Sequence, residues 1–135
     1  MRSLLLLFLC LPFASAAPVP KAREGKPDVE MIQGKWRVVG RYDEGKFREG
    51  SQNEKCIWNF ESDTLFVDTN NLGKFQLNPN ASPKHLDVIG KYGTYKSLYQ
   101  LNGDTLKWQN IGIGGERPEA IMGKGHTIIF ARVKE

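Results

Sequence analysis

Aromatic side chains are the residues of this sequence best suited to chemistry, and the chemistry they suit is the binding of an apolar molecule. The candidate lining residues are Trp58, Phe60, Phe75, Tyr95, Tyr99, Trp108 and Phe130, with Phe66 as a further aromatic. Brought to one interior, these rings either line a ligand cavity or fill the core. Small eight-stranded barrels hold either side chains or one small ligand, and the short chain favours the filled interior.

Patterns typical of catalysis or metal binding are missing from the sequence. The two histidines, His85 and His126, have no neighbours at the spacing of a zinc site, which needs three or four ligands. No serine lies in a nucleophile elbow. The glycine-rich run Gly112–Gly115 lacks the Lys-Ser/Thr of a phosphate-binding loop. We therefore expect a non-enzymatic binding or interaction module with no catalytic residue, metal or cofactor.

Two other functions stay open at this level. The chain is an enzyme or enzyme inhibitor if loop residues converge at a site only in three dimensions. The first residues to examine for such a site are Tyr95, Glu116, Arg117 and His126. The chain is a structural cell-envelope module if its interior is packed and has no pocket.

Short strands are the elements that must position these residues. Eight runs with turn signals every 8–12 residues predict an antiparallel sandwich or barrel, and no helical pattern alternates with them as a parallel sheet would require. Asp28–Gln33 is expected to form one or two helical turns, with Asp28 as the N-cap. The predicted strands are Lys35–Tyr42, Lys55–Phe60, Thr64–Asp68, Gly73–Leu77, Lys84–Ile89, Tyr95–Leu101, Asp104–Trp108 and Thr127–Val133.

The strongest local signal is the hairpin from Tyr95 to Trp108. Asn-Gly between two alternating runs favours a type I′ turn, so Asn102-Gly103 is the predicted loop and Tyr99 is expected opposite Leu106. One face of this hairpin then carries Tyr99, Leu101, Leu106 and Trp108. The first strand also alternates, which predicts that it is half-buried with two different faces. One face carries Trp36, Val38, Gly40 and Tyr42, and the other carries Lys35, Arg37, Val39 and Arg41.

In two segments the apolar residues do not recur at a regular spacing. Phe47–Asn53 is polar and is expected to be a lid-like loop or a poor edge strand, and Ile111–Gly125 is rich in glycine. We expect the mouth of a barrel to be framed by Asp43–Ser51 and Asn110–Gly125.

The first 16 residues have the composition of a signal peptide. Arg2 precedes the apolar run Leu4–Leu11, and Ala14-Ser15-Ala16 offers small residues at a cleavage site. The run is shorter than the roughly 20 residues that span a bilayer, so no stable membrane insertion is expected after cleavage. An uncleaved anchor, or a lipoprotein modified at Cys10, is the alternative. We expect a flexible leader over residues 17–27, a single domain over residues 28–135, and a secreted, periplasmic or cell-envelope location.

The charge pattern argues against a nucleic-acid partner, and the cysteine count argues against an intramolecular disulfide. The net charge of +4 comes from basic residues scattered among acidic ones, which does not form the clustered basic face of a nucleic-acid-binding protein. Cleavage after Ala16 leaves Cys56 as the single cysteine, so packing rather than a disulfide must stabilise the fold. The expected partner is a small hydrophobic molecule or an exported protein.

Five segments in order resemble the lipocalin-like domains found in many copies in planctomycete bacteria, a family of unknown function. The resemblance covers nearly all of Asp28 to Val133. It implies an exported, lipocalin-like up-and-down β-barrel of about eight strands with a short N-terminal helix, and it implies no known activity. The matching segments are Ile32–Val39, Gly73–Pro79, Pro83–Val88, Leu98–Leu106 and Glu116–Pro118.

Gly34-x-Trp36 also resembles the wider lipocalin signature. In that superfamily the tryptophan closes one end of the barrel and an arginine of the last strand lies across it. The resemblance implies that Gly34, Trp36 and Arg132 close the barrel here. The second signature of the superfamily, a Thr-Asp-Tyr turn, is missing from this sequence.

Overall fold

A computed structural model describes residues 25–48 and 55–135 of the chain. The predicted signal peptide, and residues 17–24 of the predicted leader, lie outside these ranges. No helix within them is long and apolar enough to cross a membrane. The elements of the described residues are α1 (Asp28–Met31), β1 (Gly34–Asp43), β2 (Lys46–Phe47), β3 (Ile57–Glu61), β4 (Thr64–Val67), β5 (Asn70–Asn78), β6 (Lys84–Gly90), β7 (Gly93–Asn102), β8 (Thr105–Asn110) and β9 (His126–Arg132).

Eight of these strands form one closed antiparallel barrel. The order around it is β1-β3-β4-β5-β6-β7-β8-β9, and β9 pairs back with β1, from Trp36 opposite Arg132 to Asp43 opposite His126. Among the described residues, the two-residue strand β2 pairs only with the end of β1. The prediction of an all-β, antiparallel up-and-down barrel of about eight strands is therefore confirmed. Closure removes the unpaired edges that an open sheet would expose.

The barrel interior is packed with apolar side chains at alternating strand positions, because successive side chains of a strand point to opposite faces. Phe75, Leu86 and Val88 are buried, as the alternation of their strands predicts. The buried apolar cluster comprises Ile32, Trp36, Val38, Trp58, Phe60, Leu65, Phe75, Leu86, Val88, Tyr99, Leu106, Trp108, Ile128 and Phe130.

One end of the barrel is closed by the start of β1 and the residues before it. Trp36 is fully buried, and its Nε1 donates a hydrogen bond to the Ile32 carbonyl oxygen at 2.8 Å. The Arg132 guanidinium lies over the Trp36 ring, with Cζ 4.2 Å from the ring centroid, and donates to two backbone carbonyl oxygens before β1. Gly34 has a φ of 106°, which glycine adopts without strain. We call this end the closed end.

Asp28 binds across the closed end instead of capping the helix. The N-cap residue of α1 is Pro27, so the predicted capping role of Asp28 is wrong. The Asp28 Oδ2 accepts hydrogen bonds from Lys84 Nζ at 2.7 Å and from the Tyr99 hydroxyl at 2.6 Å. Burial acts to raise the pKa of the Asp28 carboxyl, but the hydrogen bonds from Lys84 and Tyr99 outweigh burial, and the pKa is lowered. Burial, followed by the Asp28 hydrogen bond, raises the pKa of Tyr99.

Asp28→Asn should lower the free energy of unfolding at pH 7 by about 1–3 kcal/mol, because two donors lose a charged acceptor. A carboxyl whose pKa is lower in the folded chain stabilises the fold above its unfolded pKa, and this stabilisation is lost as the pH falls through the folded pKa. The difference from wild type should therefore shrink below about pH 4. Urea unfolding at pH 7 and pH 3 measures it, with Glu30→Gln, at an exposed helix position, as the control. An equal difference at both pH values would refute this role of the carboxylate.

The β7–β8 hairpin turns at Gly103-Asp104, so the predicted loop and register are wrong. Asn102 pairs with Thr105, which makes both of them strand residues. Gly103 alone of the two loop residues has a positive φ, of 57°. This pattern fits a type II′ turn, which places glycine at its first central position. The register differs from the predicted one by two residues, so the predicted face is preserved for Tyr99, Leu101, Leu106 and Trp108.

A β-bulge in β1 changes which residues face the interior at the end of the barrel opposite the closed end. The pairing of β1 with β9 shifts between Val38 and Gly40. An extra residue in one strand reverses the facing of the side chains that follow it. Arg41 therefore pairs with Ile128 on the interior side, and the simple alternation that grouped Tyr42 with Val38 is wrong beyond the bulge.

A second bulge lies in β5, where its pairing with β4 shifts between Leu65 and Phe66. Gly73 has a φ of 143°, and a Cβ at this position would lie 2.3 Å from the Ile89 carbonyl oxygen. Glycine is therefore required where the two backbones approach each other. The bulge lets Leu72 pack against the buried cluster.

Candidate functional site

A cavity of about 520 Å³ lies at the end of the barrel opposite the closed end, and we call it the mouth cavity. Its volume falls in the range of small-molecule sites in proteins. The walls come from strands on all sides of the barrel, so the cavity is the open end of the interior. Its apolar lining consists of Trp58, Val67, Leu72, Tyr95, Trp108, Ile113 and Ile128.

Aromatic rings form much of the apolar surface of the mouth cavity. The Trp108 ring centroid lies 5.1 Å from that of Trp58 and 5.9 Å from that of Tyr95, both in edge-to-face geometry. Phe130 packs edge-to-face on Trp58 at 5.1 Å and belongs to the buried cluster. Such contacts fix the rings relative to one another. The cavity is therefore bounded by flat side chains held in place by packing.

The indole N–H groups of Trp58 and Trp108 have no hydrogen-bond acceptor among the described residues. The two side chains are buried, with 6% and 3% of their surface exposed. A buried donor without an acceptor costs about 1–3 kcal/mol, and such groups are rare in folded proteins. The two nitrogens have almost no accessible surface of their own, so the indoles line the mouth cavity with their rings and not with their N–H groups.

Asp43 lies among three basic side chains at the rim of the mouth cavity. Its carboxylate oxygens are 2.7 Å from His126 Nδ1, 3.2 Å from Arg41 Nε and 3.3 Å from Arg48 Nε. The hydrogen bond with His126, followed by that from Arg41, lowers the pKa of the Asp43 carboxyl against the opposing effect of burial. Within this cluster, two guanidinium groups and an imidazole face one carboxylate.

The structure divides the seven predicted lining residues between the mouth cavity and the closed half of the barrel. Trp58, Tyr95 and Trp108 line the cavity, and Phe130 packs directly behind Trp58. The remaining three, Phe60, Phe75 and Tyr99, are buried outside the cavity.

Packing explains why these three residues lie away from the cavity. Phe60 and Phe75 pack on each other at 5.0 Å, and Tyr99 is bonded to Asp28 at the closed end. Phe66 lies on the opposite face of β4 from the buried Leu65, so it faces the exterior. The interior is therefore filled in its closed half, as the chain length favours, and open at the mouth.

The β8–β9 connection, residues 111–125, runs over the outer wall of the barrel, and we call it the strap. Arg117 Nη1 and Nη2 donate to the two carboxylate oxygens of Asp87 at 2.5 and 2.8 Å, and Nη1 also donates to the Ser97 carbonyl oxygen at 2.8 Å. Asp87 follows the inward-facing Leu86, so this bidentate pair lies on the exterior. The strap is thus held to the wall by a charge-assisted contact.

Gln109 holds the other end of the strap. Its side chain is fully buried, donates to the Lys124 carbonyl oxygen at 2.7 Å and accepts from the Met122 backbone N–H at 3.1 Å. Only the first part of the predicted mouth frame Asn110–Gly125 lines the cavity, through Asn110, Gly112 and Ile113. In the other predicted frame, Asp43–Ser51, residues 49–51 lie outside the described residues.

The four residues considered for an enzymatic site do not meet. Tyr95 and His126 line the mouth cavity, whereas Arg117 is bonded to the outer wall and Glu116 is exposed. In residues 25–48 and 55–135, no group of three His, Cys, Asp or Glu side chains could hold a metal ion. These four residues therefore do not form a catalytic group.

Two polar residues of the mouth cavity, Arg41 and Asn70, were not predicted from the sequence, whereas Asn110 begins one of the predicted frames of the mouth. Arg41 faces the interior because of the bulge between Val38 and Gly40, and the isolated Gly40 is a signal that could have indicated it. For β5, the isolated Gly73 is the signal that could have indicated a bulge.

Comparison of the chain with protein-family models, with curated proteins and with solved structures gives no match.

Proposed function

We propose that the chain is an exported, lipocalin-like, non-enzymatic binding module that holds a small, mainly apolar molecule in the mouth cavity. The observation that carries the proposal is an aromatic-walled cavity of about 520 Å³ at one end of a barrel that is closed at the other. A site with apolar walls and a few polar groups is typical of small-molecule binding.

The closed end supports the same function. Trp36, Arg132 and the Asp28 contacts seal the barrel at the helix, so a molecule in the cavity is reached from the mouth. Contacts within the aromatic wall position its rings in advance, which lowers the ordering cost of binding. The affinity then comes from apolar surface that leaves water on both partners.

A structural cell-envelope module is the weaker alternative. It predicts a packed interior with no pocket, whereas the barrel has an opening of about 520 Å³ lined by Trp58, Tyr95 and Trp108.

Titration with the neutral fluorescent probe N-phenyl-1-naphthylamine tests the proposal. We expect saturable binding of one probe per chain, with increased probe fluorescence and quenching of tryptophan emission, because Trp58 and Trp108 line the cavity. Protein unfolded in urea is the control and should give no saturable signal. A folded chain that gives no saturable signal up to the solubility limit of the probe would contradict the proposed function.

A further inference from the structure

We infer that the molecule bound in the mouth cavity is a small amphipathic acid, with one anionic head group bound by Arg41 and a flat apolar body against the aromatic wall. This inference rests on the proposed function and adds the chemical class of the ligand. Three observations support the inference: the side chain of Arg41, the charges around Asp43 and the aromatic wall of the cavity.

Arg41 presents donors that have no acceptor among the described residues. Its Nε is bonded to Asp43 at 3.2 Å, whereas its two Nη groups make no hydrogen bond to the described residues. A guanidinium is planar and binds a carboxylate or sulfonate through parallel N–H groups. The Arg41 side chain is 27% exposed, so an ion pair formed there is partly shielded from water.

The charges around the rim favour an anion. Arg41 and His126 line the cavity, and none of the described lining residues carries a carboxylate. The nearby carboxylate of Asp43 is already shared among three bases, including Arg48. A cationic head group would face the positive charge of Arg41 and meet no carboxylate in the cavity wall. An anionic head group would pair with the Arg41 guanidinium.

The aromatic wall selects the other half of the ligand. Trp58, Tyr95 and Trp108 offer flat apolar surface on the interior side of Arg41, and Ile128 opposite Arg41 adds aliphatic surface. An aromatic or fatty carboxylate of a volume below about 520 Å³ meets both conditions.

Two probes with the same rings separate the head group from the body. N-phenyl-1-naphthylamine is neutral, and 8-anilinonaphthalene-1-sulfonate carries one sulfonate on the same ring system. We expect the folded chain to bind the sulfonate about tenfold more tightly than the neutral probe, which is the effect of one charge-assisted hydrogen-bonded pair. Arg41→Gln should abolish this preference, so that the variant binds the two probes with equal affinity.

Arg48→Gln is the matched control. Arg48 also contacts Asp43 but does not line the cavity, so this variant should keep the preference. Binding of the neutral probe by Arg41→Gln shows that the variant is folded. Equal affinity of wild type for both probes, a preference that survives Arg41→Gln, or its equal loss in Arg48→Gln would overturn the inference and leave the proposed function standing. Failure of both probes to bind would overturn the proposed function as well.

Discussion

Replacing Trp36 by alanine should lower the free energy of unfolding by about 3–5 kcal/mol, which is the range for removing a large aromatic side chain from a core. Trp36 is fully buried, bonds to the Ile32 carbonyl oxygen and carries the Arg132 guanidinium on its face. Its loss leaves a void at the closed end. The Ile32 carbonyl loses its hydrogen-bond donor, and the Arg132 guanidinium loses the ring it lies on. The effect should exceed that of any exposed substitution.

Urea unfolding followed by circular dichroism measures this loss. Trp36→Phe keeps an aromatic ring and loses the hydrogen bond to Ile32, so it should cost about 1–2 kcal/mol and stay folded if Trp36→Ala does not. Tyr92→Ala removes an aromatic side chain that is 83% exposed and should change the stability by less than about 0.5 kcal/mol. A cost below 1 kcal/mol for Trp36→Ala would show that this end is not closed as described.

The second large effect concerns the mouth cavity. Asn70→Trp should weaken binding of N-phenyl-1-naphthylamine by about a hundredfold or more, because the added ring occupies the apolar volume that the probe would fill. Asn70 is exposed at the rim and lines the cavity, so the added ring is not forced into the packed core. The stability of the barrel should change little.

Asn71→Trp is the matched control for this variant. Asn71 is the next residue of β5, is also exposed and does not line the cavity. It should bind the probe as wild type does. If both variants bind equally well, the probe lies elsewhere, and the mouth cavity is not the site.

Alternation in the sequence predicts the barrel well, because burial of one face imposes a period of two on every strand. Phe75, Leu86, Val88 and Trp108 are buried as this period predicts. The hairpin at Gly103 illustrates a limit, since two-residue loops at Asn102-Gly103 and at Gly103-Asp104 both place glycine at a turn position. The two registers differ by two residues, so the face of each side chain is right although its partner is wrong.

The mouth cavity is harder to predict for two physical reasons. Gly40 marks a position that tolerates a bulge, but the bulge itself depends on how β1 pairs with β9, so a distant strand sets the inward facing of Arg41. An unfilled volume depends on the lengths and rotamers of many side chains together. All three aromatic residues that line the cavity were among the predicted lining residues. The sequence did not show which of the predicted residues would instead pack in the closed half of the barrel.

The strap escaped prediction for a similar reason. It lacks a period because its residues are bound by single polar contacts, such as Arg117 to Asp87, rather than by a repeating apolar face. Gln109 is buried on the outer wall only because the strap covers it, so nothing within β8 itself indicates its burial.

Proton–nitrogen correlation spectra of the indole groups test the central claim most directly. The chain has three tryptophans and hence three indole N–H signals, which Trp-to-Phe variants assign. On addition of N-phenyl-1-naphthylamine, we expect the signals of Trp58 and Trp108 to shift in a saturable way. The signal of Trp36, bonded to Ile32 at the closed end, should stay in place. A saturating probe that moves Trp36 alone, or none of the three, would contradict a ligand site at the mouth of the barrel.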